Sequence, residues 1–541
     1  ADNMITISPT NITANDFVLS QGPQRLGIAS LPGSAPQPLQ VSFTDFKLAT
    51  LTGFVKADSL LVDGVMNGQV TFTNLLQHPL FTSDLTINDL AMKKDTLGNL
   101  NLKVNNDNDR YNVNVALKGV NNDNDVAITG YAAPAGNDIN LNLDLAVRRL
   151  ELHSLEGAMA SAITNASGAI TGEVKIGGTT TKPAINGDLN FDKASFALTQ
   201  LGSQFKIDNE KISVTENGLT FDKFTIKDSA NNALTIDGNI LTSNFVNYNF
   251  NLDVTADNFE VLNSTKGPNK LYYGRLNINT RLHIAGTEIK PVVDGSLAVN
   301  DKTNLTIVVP QAEPGVQERE GVVRFVDMDN PGADTLFLSK DTLGRANTLG
   351  MDITTNITIS KAAIFNVIVD EANGDFLNIR GDAQLSAGID PSGKITMVGT
   401  YTVEEGAYQL SYNFLQRRFD IQKGSQIIWA GDPTTAQLNL TAIYVANTAP
   451  IDLVQDQIEG APAAIRNTYM QKLPFEVHLT LTGELMKPSI AFDIVLPGNK
   501  NYGVSNDIVT GVQTRLDQIR QDQGEINKQV FSLLLLGRFV G

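Results

Sequence analysis

The side chains best suited to chemistry in this sequence are few and scattered. The adjacent carboxylates Glu404 and Glu405 suggest the acid pair of a glycosidase, and two Asn/Asp clusters, at 105–109 and 121–125, suggest half of a calcium loop. Neighbouring residues on a strand face opposite ways, so Glu404 and Glu405 cannot share a substrate. Neither cluster has the glycine and the closing glutamate of an EF-hand loop. We therefore predict solvent-exposed charge at the pair and hairpin turns at the clusters.

The sequence has few residues that could support imidazole or thiolate chemistry. The histidines His78, His153, His283 and His478 are isolated from one another, and the chain contains no cysteine. Zinc sites and nucleophilic triads need several such groups together. P-loop, Gly-x-Ser-x-Gly and His-Glu-x-x-His motifs are also absent from the sequence. We expect no metal, no cofactor and no catalytic site, and an enzyme is the weakest functional class.

Composition narrows the class of protein further. The 41 basic and 58 acidic residues give a net charge of −17, which argues against nucleic-acid binding because that requires basic residues opposite the phosphates. Hydrophobic residues make up 42% of the chain, enough for an extensive buried surface. No segment reaches the roughly 18 consecutive apolar residues of a transmembrane helix. We interpret Ala1 as a processing or cloning boundary, with any membrane anchor upstream of it.

Apolar and polar residues alternate along most of the chain. Every odd position from Ile139 to Val147 is apolar, whereas Asn140, Asn142 and Asp144 are polar. Strand side chains point alternately to two faces, so each such segment has one apolar and one polar face. Polar turns between the segments indicate an antiparallel meander, and about 15 residues per strand and turn gives about 30 strands. The residues predicted to line one interior face are Leu100, Leu102, Val104, Val113, Val115, Ile139, Leu141, Leu143, Leu145, Phe250, Leu252, Leu438, Leu440, Leu479 and Leu481.

An internal repeat marks three of the turns. The pattern Gly-x-x-x-Lys-Pro-x-(Ile/Val) occurs at Gly178–Ile185, Gly286–Val293 and Gly483–Ile490, each time between alternating segments. Glycine allows the turn, and proline ends hydrogen bonding at the entry of the next strand. A loose repeat of this kind indicates a long stacked sheet.

Helices and domain boundaries complete the predicted organisation. Short helices are expected near 154–165 with Ser154 as the cap, from about Asn506, and from about Glu525 to Leu536 with Gly537 as the stop. We divide the chain into sheet repeats at 1–150, sheet repeats with the first helix at 151–300, a continuation of the sheet at 301–380, and a C-terminal domain with the last helices at 381–541.

A long sheet with one apolar face has to cover that face. A second sheet can cover it, as in a sandwich or barrel, or the sheet can curl into a trough that shelters a hydrophobic ligand. Burying a 16-carbon tail outside a membrane has to supply on the order of 12 kcal/mol of free energy, because each buried CH₂ contributes about 0.8 kcal/mol. The alternation is compatible with both solutions.

The C-terminal third resembles a known family. Glu404–Leu410, Phe419–Pro433 and Ala436–Tyr444 resemble the C-terminal domain of the TamB family, in which a "G-x-Y" strand leads to a "G-x-I" strand, a "G-D-P" turn and an "L-x-(I/L)-x-A" strand. Lys487-Pro488 and Phe531–Arg538 match the closing pattern of that family. Two further segments resemble repeat units of the family, Gly168–Leu189 and Tyr273–Leu297. A third, Gly321–Asp327, resembles a segment common in Bacteroidota-type members.

The resemblance implies a fold and a function. The fold would be mainly β, an elongated antiparallel β-taco, which is a U-shaped apolar-lined groove, with a few short helices. The protein would be periplasmic, anchored in the inner membrane in its full-length form, and would carry phospholipid to the outer membrane. Its C-terminus would dock on an outer-membrane barrel of the TamA/BamA class. Open alternatives are an assembly factor for outer-membrane proteins that acts by β-augmentation, and a structural β-solenoid.

A dense apolar block near the C-terminus is the predicted docking element. Its members are Phe531, Leu533, Leu534, Leu535 and Leu536, with Arg538 at the rim. An exposed block of this kind is an aggregation hazard, so another chain or its own sheet has to cover it. The alternative is that this helix only caps its own sheet.

Overall fold

The structure is a computed structural model that describes most of the chain. The described residues are 3–9, 11–33, 37–50, 62–73, 75, 80–93, 95–107, 110–136, 138–159, 162–242, 245–267, 270–308, 350–371, 374–412, 415–485, 487–498 and 502–541. His78 and the segment Gly321–Asp327 lie outside them. The described chain is mainly β, with thirty strands and a few short helices, which confirms the predicted fold class.

The chain divides into two compact units, which we describe separately. The first consists of Ala1–Val261 with Arg281–Val292, and the second of Leu262–Thr280 with Val293–Gly541. The finer boundaries placed at residues 150, 300 and 380 stay predictions. The strands up to residue 264 are β1 (Met4–Ile7), β2 (Ile12–Asn15), β3 (Phe17–Gln21), β4 (Gln24–Ser30), β5 (Leu39–Lys47), β6 (Val62–Thr73), β7 (Leu80–Met92), β8 (Asp95–Asp107), β9 (Arg110–Lys118), β10 (Asp125–Ala135), β11 (Asp138–Glu151), β12 (Ile163–Gly178), β13 (Pro183–Leu198), β14 (Ser203–Ile207), β15 (Lys211–Thr215), β16 (Gly218–Lys227), β17 (Ala233–Leu241) and β18 (Asn249–Ser264).

The first unit is an antiparallel meander. From β3 to β13 each strand pairs with the next one along the chain. Strands β14 and β15 together lie beside β13, and β16, β17 and β18 follow in order. The two short strands β1 and β2 pair with each other. Sequential pairing of this kind is the result of tight polar turns between alternating segments, as the sequence predicts.

The second unit continues the same construction and adds helices. Its strands, of which the first two also contribute to the first unit, are β19 (Tyr272–Thr287), β20 (Pro291–Val299), β21 (Asn304–Val308), β22 (Asp352–Ile359), β23 (Ile364–Asp370), β24 (Asp375–Ile389), β25 (Ile395–Tyr412), β26 (Leu415–Ile421), β27 (Gln426–Gly431), β28 (Gln437–Thr448), β29 (Leu473–Glu484) and β30 (Ser489–Val495). The helices are α1 (Gln455–Ile458), α2 (Ala463–Thr468), α3 (Asn506–Ile519) and α4 (Gln523–Leu536). The pairing of β21 with β23 is parallel, and the other described pairings of this unit are antiparallel.

Two of the three predicted helices are confirmed. Helix α3 begins at Asn506, as predicted, and buries Ile508, Val512, Leu516 and Ile519 on one side. Helix α4 ends at Gly537, which has a left-handed φ of 68° and donates its N–H to the carbonyl of Leu533. Glycine adopts this conformation without steric cost, so it terminates the helix.

The helix predicted near 154–165 is wrong. A 3-10 helix at Leu152–Leu155 and a turn occupy its beginning, and β12 already starts at Ile163. Ser154 is fully buried, and its hydroxyl accepts a hydrogen bond from the Asn124 side chain at 2.9 Å instead of capping a helix. Of the apolar residues at helical spacing in this segment, Ile163 is buried at the start of β12, whereas Ala158, Met159 and Ala162 are exposed, so the spacing does not mark a buried helical face.

Candidate functional site

One face of the first unit carries apolar residues that stand directly opposite each other on successive strands. Residues opposite each other in an antiparallel pair share a face of the sheet. Starting from Leu145 on β11, the pairing leads to Ile128 on β10, Val115 on β9 and Leu102 on β8. The whole row, which we call the central row, is Leu19, Leu26, Phe43, Gly68, Leu85, Leu102, Val115, Ile128, Leu145, Val174, Gly187, Val214, Leu219, Ile240 and Phe250.

Two further rows flank the central row on the same face. Predicted lining residues fall in both rows: Val104, Val113 and Leu143 in the first, and Leu100 and Leu252 in the second. The first flanking row is Phe17, Ile28, Val41, Val70, Ser83, Val104, Val113, Gly130, Leu143, Ile176 and Ile185. The second is Phe46, Met66, Ile87, Leu100, Leu117, Val126, Val147, Gly172, Leu189, Ile212, Phe221, Gly238 and Leu252.

The structure therefore brings together the predicted lining residues of the first unit. Leu141 and Ile139 extend the face toward the start of β11, opposite Ala132 and Pro134. Sequence reasoning missed Leu85, Ile128, Val174 and the other new row members. Their alternation is readable in the sequence, but which residues face each other depends on register.

The opposite face of the same strands is polar and exposed. Asn140, Asn142 and Asp144 are exposed, as predicted for the even positions of β11. Asp144 lies 3.7 Å from the ammonium of Lys175 on β12. Exposed pairs of this kind contribute little to stability, so the polar face is a solvated surface.

The apolar face of the first unit is only partly covered. Across β8 to β11, the buried hydrophobic side chains among the described residues are Val104 and Val147. Leu102, Val115 and Leu143 are half-buried, and Ile139 is 40% exposed. In a sheet packed against a second layer, residues of this type are normally fully buried.

The apolar residues predicted in the second unit have a different environment. Leu438, Leu440 and Leu479 are buried, and half-buried Leu481 packs against the same hydrophobic core. Helices α3 and α4 contribute the buried side chains of Val512, Leu516, Val530 and Leu533 to this core. The face of β28 to β30 is therefore covered by the chain's own C-terminal helices.

The predicted docking block is divided between this core and the surface. Leu533 and Leu534 are buried, at 0% and 2% exposure, whereas Phe531, Leu535 and Leu536 are 46–61% exposed. The Arg417 guanidinium donates to the carbonyl of Leu534 at 2.7 Å, near the end of α4. Phe539 is buried against the ring of Phe475, and Arg538 is exposed. Leu533 and Leu534 thus act as a cap on their own sheet, and three exposed apolar side chains with Arg538 are accessible to a partner.

Strand β30 presents an edge beside these exposed residues. Among the described residues it pairs with β29 only. The N–H of Ile494 donates to the Asp493 carboxylate and its carbonyl accepts from Arg520, both at 2.7 Å, so its backbone groups point away from β29. Backbone direction alternates along a strand, so Ile490 and Phe492 also direct their N–H and C=O groups outward. Arg520 and Asp493 cover one end of the edge and leave Ile490 to Phe492 open.

The residues suspected of acid–base or metal chemistry are structural. Lys423 and Lys361 hold the pKa of Glu404 down at about 2 by hydrogen bonding to its carboxylate, and Glu405 pairs separately with Arg380. The cluster at 121–125 turns the chain from β9 into β10, as predicted. The cluster at 105–109 lies at the β8–β9 turn, although 108 and 109 are outside the described residues. Within the described ranges, no group of three or more acidic or histidine side chains is arranged to bind a metal.

The three repeat turns share one geometry. The first glycine has a φ of 74–86° in every copy, and the lysine N–H donates to the carbonyl of the residue after that glycine. The second residue after the glycine donates its N–H to the strand before the hairpin: Thr180 to Ile139, Glu288 to Tyr248, and Leu485 to Ala436. The repeat therefore joins each hairpin to its neighbour, and this confirms its assignment as a strand–turn–strand unit.

The fold defines a β-sheet protein built mainly of antiparallel strands, and in the first unit the sheet has one apolar and one polar face. The family follows from a comparison with family models. The model of the TamB C-terminal domain matches residues 25–220 and 222–541, and the chain belongs to this family. The match extends well beyond the C-terminal third that carries the densest resemblance.

Membership supports a role in the translocation and assembly module, a non-enzymatic transport and assembly system of the cell envelope that works with TamA-type outer-membrane partners. A search of the curated proteins gives no match. Among the described residues, no helix has the length and apolar character needed to cross a membrane.

Proposed function

We propose that this chain is part of a periplasmic bridge that carries phospholipid between the inner and outer membranes. The acyl chains lie on the three apolar rows of the first unit, and the headgroups remain in water. The observation that carries the proposal is the combination of aligned apolar rows with incomplete burial. An apolar face that persists over fifteen strands, and that across β8 to β11 is not sealed by a packed layer, fits a ligand that moves along it.

The energetics favour a row over a pocket. Transfer of a 16-carbon acyl chain from an apolar environment into water costs about 12 kcal/mol of free energy. A lipid that moves between membranes needs this shelter at every intermediate position. The central row offers an apolar residue or a glycine on each successive strand, so a shift by one strand exchanges one apolar contact for another.

Photo-crosslinking from the two faces of β11 tests the proposal. A photoreactive residue at Leu141 is expected to form adducts with phospholipid in cells, because this side chain lies on the apolar face. The matched position is Asn142, which is adjacent in sequence but exposed on the polar face. Mass spectrometry of the two adduct populations is the measurement. Equal lipid labelling at both positions, or none at Leu141, contradicts the proposal.

A second candidate is an assembly factor that pairs its free edge with a strand of an outer-membrane protein. The open stretch of β30 at Ile490 to Phe492 favours this candidate, because unpaired strand edges accept an added strand. The exposed side chains of Phe531, Leu535 and Leu536 supply apolar surface close to the C-terminal end. The partner would be a barrel of the TamA/BamA class.

Proline substitution separates the two roles of β30. Ile490→Pro removes an outward N–H and replaces a side chain that is 58% exposed, so we expect stability to change by less than about 1 kcal/mol. Capture of a co-expressed TamA- or BamA-type barrel is expected to be lost. Ala491→Pro is the control, because it removes an N–H directed at β29 and lowers the melting temperature. Unchanged capture by the Ile490→Pro variant excludes docking through this edge.

A further inference from the structure

The lysine of the repeat turn has no role in the turn itself. The turn is closed by backbone groups of the lysines: Lys182 uses its N–H and its carbonyl, and Lys290 uses its N–H. Both side chains are exposed. Any residue with a backbone N–H could form the same hydrogen bonds, so the geometry of the turn does not explain a lysine.

Lys182 and Lys290 lack a carboxylate partner among the described residues, as do Lys47, Lys93, Lys193, Lys206 and Lys223 of the first unit. What sets Lys182 and Lys290 apart from those lysines is their place in the repeated turn. Several lysines on the strands are in ion pairs, including Lys103 with Asp84, Lys118 with Asp125, Lys175 with Asp144, Lys211 with Asp188 and Lys227 with Asp208. Within the described residues, Lys182 and Lys290 have no ion-pair partner. The chain has 58 acidic and 41 basic residues. In such an acidic protein, an unpaired cation at a repeated position is available for an anion from outside the chain.

The two turns lie at the same edge of the first unit. The turn of Lys182 contacts Ile139 at the start of β11, and the turn of Lys290 contacts Tyr248 just before β18. Between β11 and β18 the strands alternate in direction, with β14 and β15 together acting as one strand, so β11 and β18 run the same way. Their starts are therefore at one edge of the sheet.

Apolar side chains are exposed at this edge, next to the lysines. Ile289, adjacent to Lys290, is 70% exposed, and Ile139, in contact with the other turn, is 40% exposed. Ile139 is also an end member of the apolar face. A cation beside apolar surface matches the boundary between the phosphate and the acyl chains of a phospholipid.

We propose that Lys182 and Lys290, each at its own turn, bind the phosphate of a lipid headgroup while the acyl chains of that lipid lie on the apolar face. The inference rests on the proposed lipid transfer and adds the headgroup chemistry, namely a phosphate at this edge of the sheet. The third repeat turn has the same geometry in the second unit, and its Lys487 is likewise exposed and without an ion-pair partner among the described residues.

Two fluorescent lipids with identical acyl chains test the inference on the purified full chain. One is phosphatidylglycerol and the other is diacylglycerol, which lacks the phosphate. The variant Lys182→Gln/Lys290→Gln is expected to bind phosphatidylglycerol about fivefold more weakly, because a lysine near an anionic lipid surface contributes about 1 kcal/mol. Its affinity for diacylglycerol is expected to be unchanged. The control variant Lys175→Gln/Lys211→Gln, which alters two paired lysines of the polar face, is expected to match the wild type with both lipids.

The outcomes separate this inference from the proposed function. Failure of the wild-type chain to bind either lipid overturns both. Binding of diacylglycerol with no selective loss of phosphatidylglycerol in the Lys182→Gln/Lys290→Gln variant overturns only the headgroup assignment. Millimolar inorganic phosphate serves as the competing probe. If it lowers the affinity of the wild type for phosphatidylglycerol to that of the variant and leaves the variant unchanged, it competes with the lipid phosphate for the lysines and supports the assignment. An equal loss of affinity in the wild type and the variant is a general ionic effect and contradicts the lysines as the phosphate site.

Discussion

Replacing Leu141 by arginine is expected to block lipid transfer without unfolding the protein. Leu141 is half-buried on the apolar face of β11, opposite Ala132 on β10. An unpaired cation there lies in the path of the acyl chains and costs about 3 kcal/mol in an apolar medium, which corresponds to a roughly 100-fold loss of lipid binding. The long arginine side chain can extend its guanidinium to water, so the sheet should remain folded.

The measurement combines phospholipid transfer between two vesicle populations with thermal unfolding of the same variants. Asn142→Arg is the matched control, because it adds the same charge one residue further on, where the side chain is already exposed. It should transfer lipid as the wild type does. If the apolar face were sealed by a packed layer, Leu141→Arg would instead lower the melting temperature sharply, as a buried unpaired charge does. A folded Leu141→Arg variant with normal transfer contradicts the conduit.

The apolar face illustrates what the sequence predicts well. The alternation from Ile139 to Val147 specifies which side chains share a face, because a strand has a period of two. It does not specify the register, because a shift of two residues preserves the alternation and changes every cross-strand neighbour. The central row therefore became visible only in the structure. Gly130 is a position that the alternation of apolar residues does not predict. It occupies the first flanking row, where an added Cβ would lie 2.1 Å from the Asn142 carbonyl oxygen.

The C-terminal helix shows a different limit. The spacing of Val530, Leu533 and Leu534 is that of the buried face of a helix, and Phe531 and Leu535 fall on another side. The helical spacing therefore already separates the side chains that cap the sheet from those that stay on the surface. The prediction from sequence instead assigns the whole block to docking on a partner. The position of β28 to β30 decides which of the two helix faces packs against the sheet. A local sequence pattern does not contain that tertiary contact, so it cannot predict the choice.

Truncating Leu533 is expected to destabilise the second unit, whereas truncating Leu535 is not. Leu533 is fully buried in the core formed by α4 and the sheet, so Leu533→Ala should cost about 2–5 kcal/mol through lost burial and the cavity that remains. Leu535, two residues further on in the same helix, is 46% exposed, so Leu535→Ala should change stability by less than about 0.5 kcal/mol. Chemical denaturation followed by circular dichroism measures both effects.

Partner capture gives the complementary result for the exposed side of α4. Changing Phe531, Leu535 and Leu536 together to serine should leave the unfolding transition close to that of the wild type, because these side chains contribute little to the core. The same change should weaken capture of a TamA- or BamA-type barrel if the exposed patch docks there. Retained capture by this variant, together with a large loss of stability in Leu533→Ala, would show that α4 acts only as a cap on its own sheet. An unchanged unfolding transition in Leu533→Ala would instead contradict the packing of α4 against the sheet.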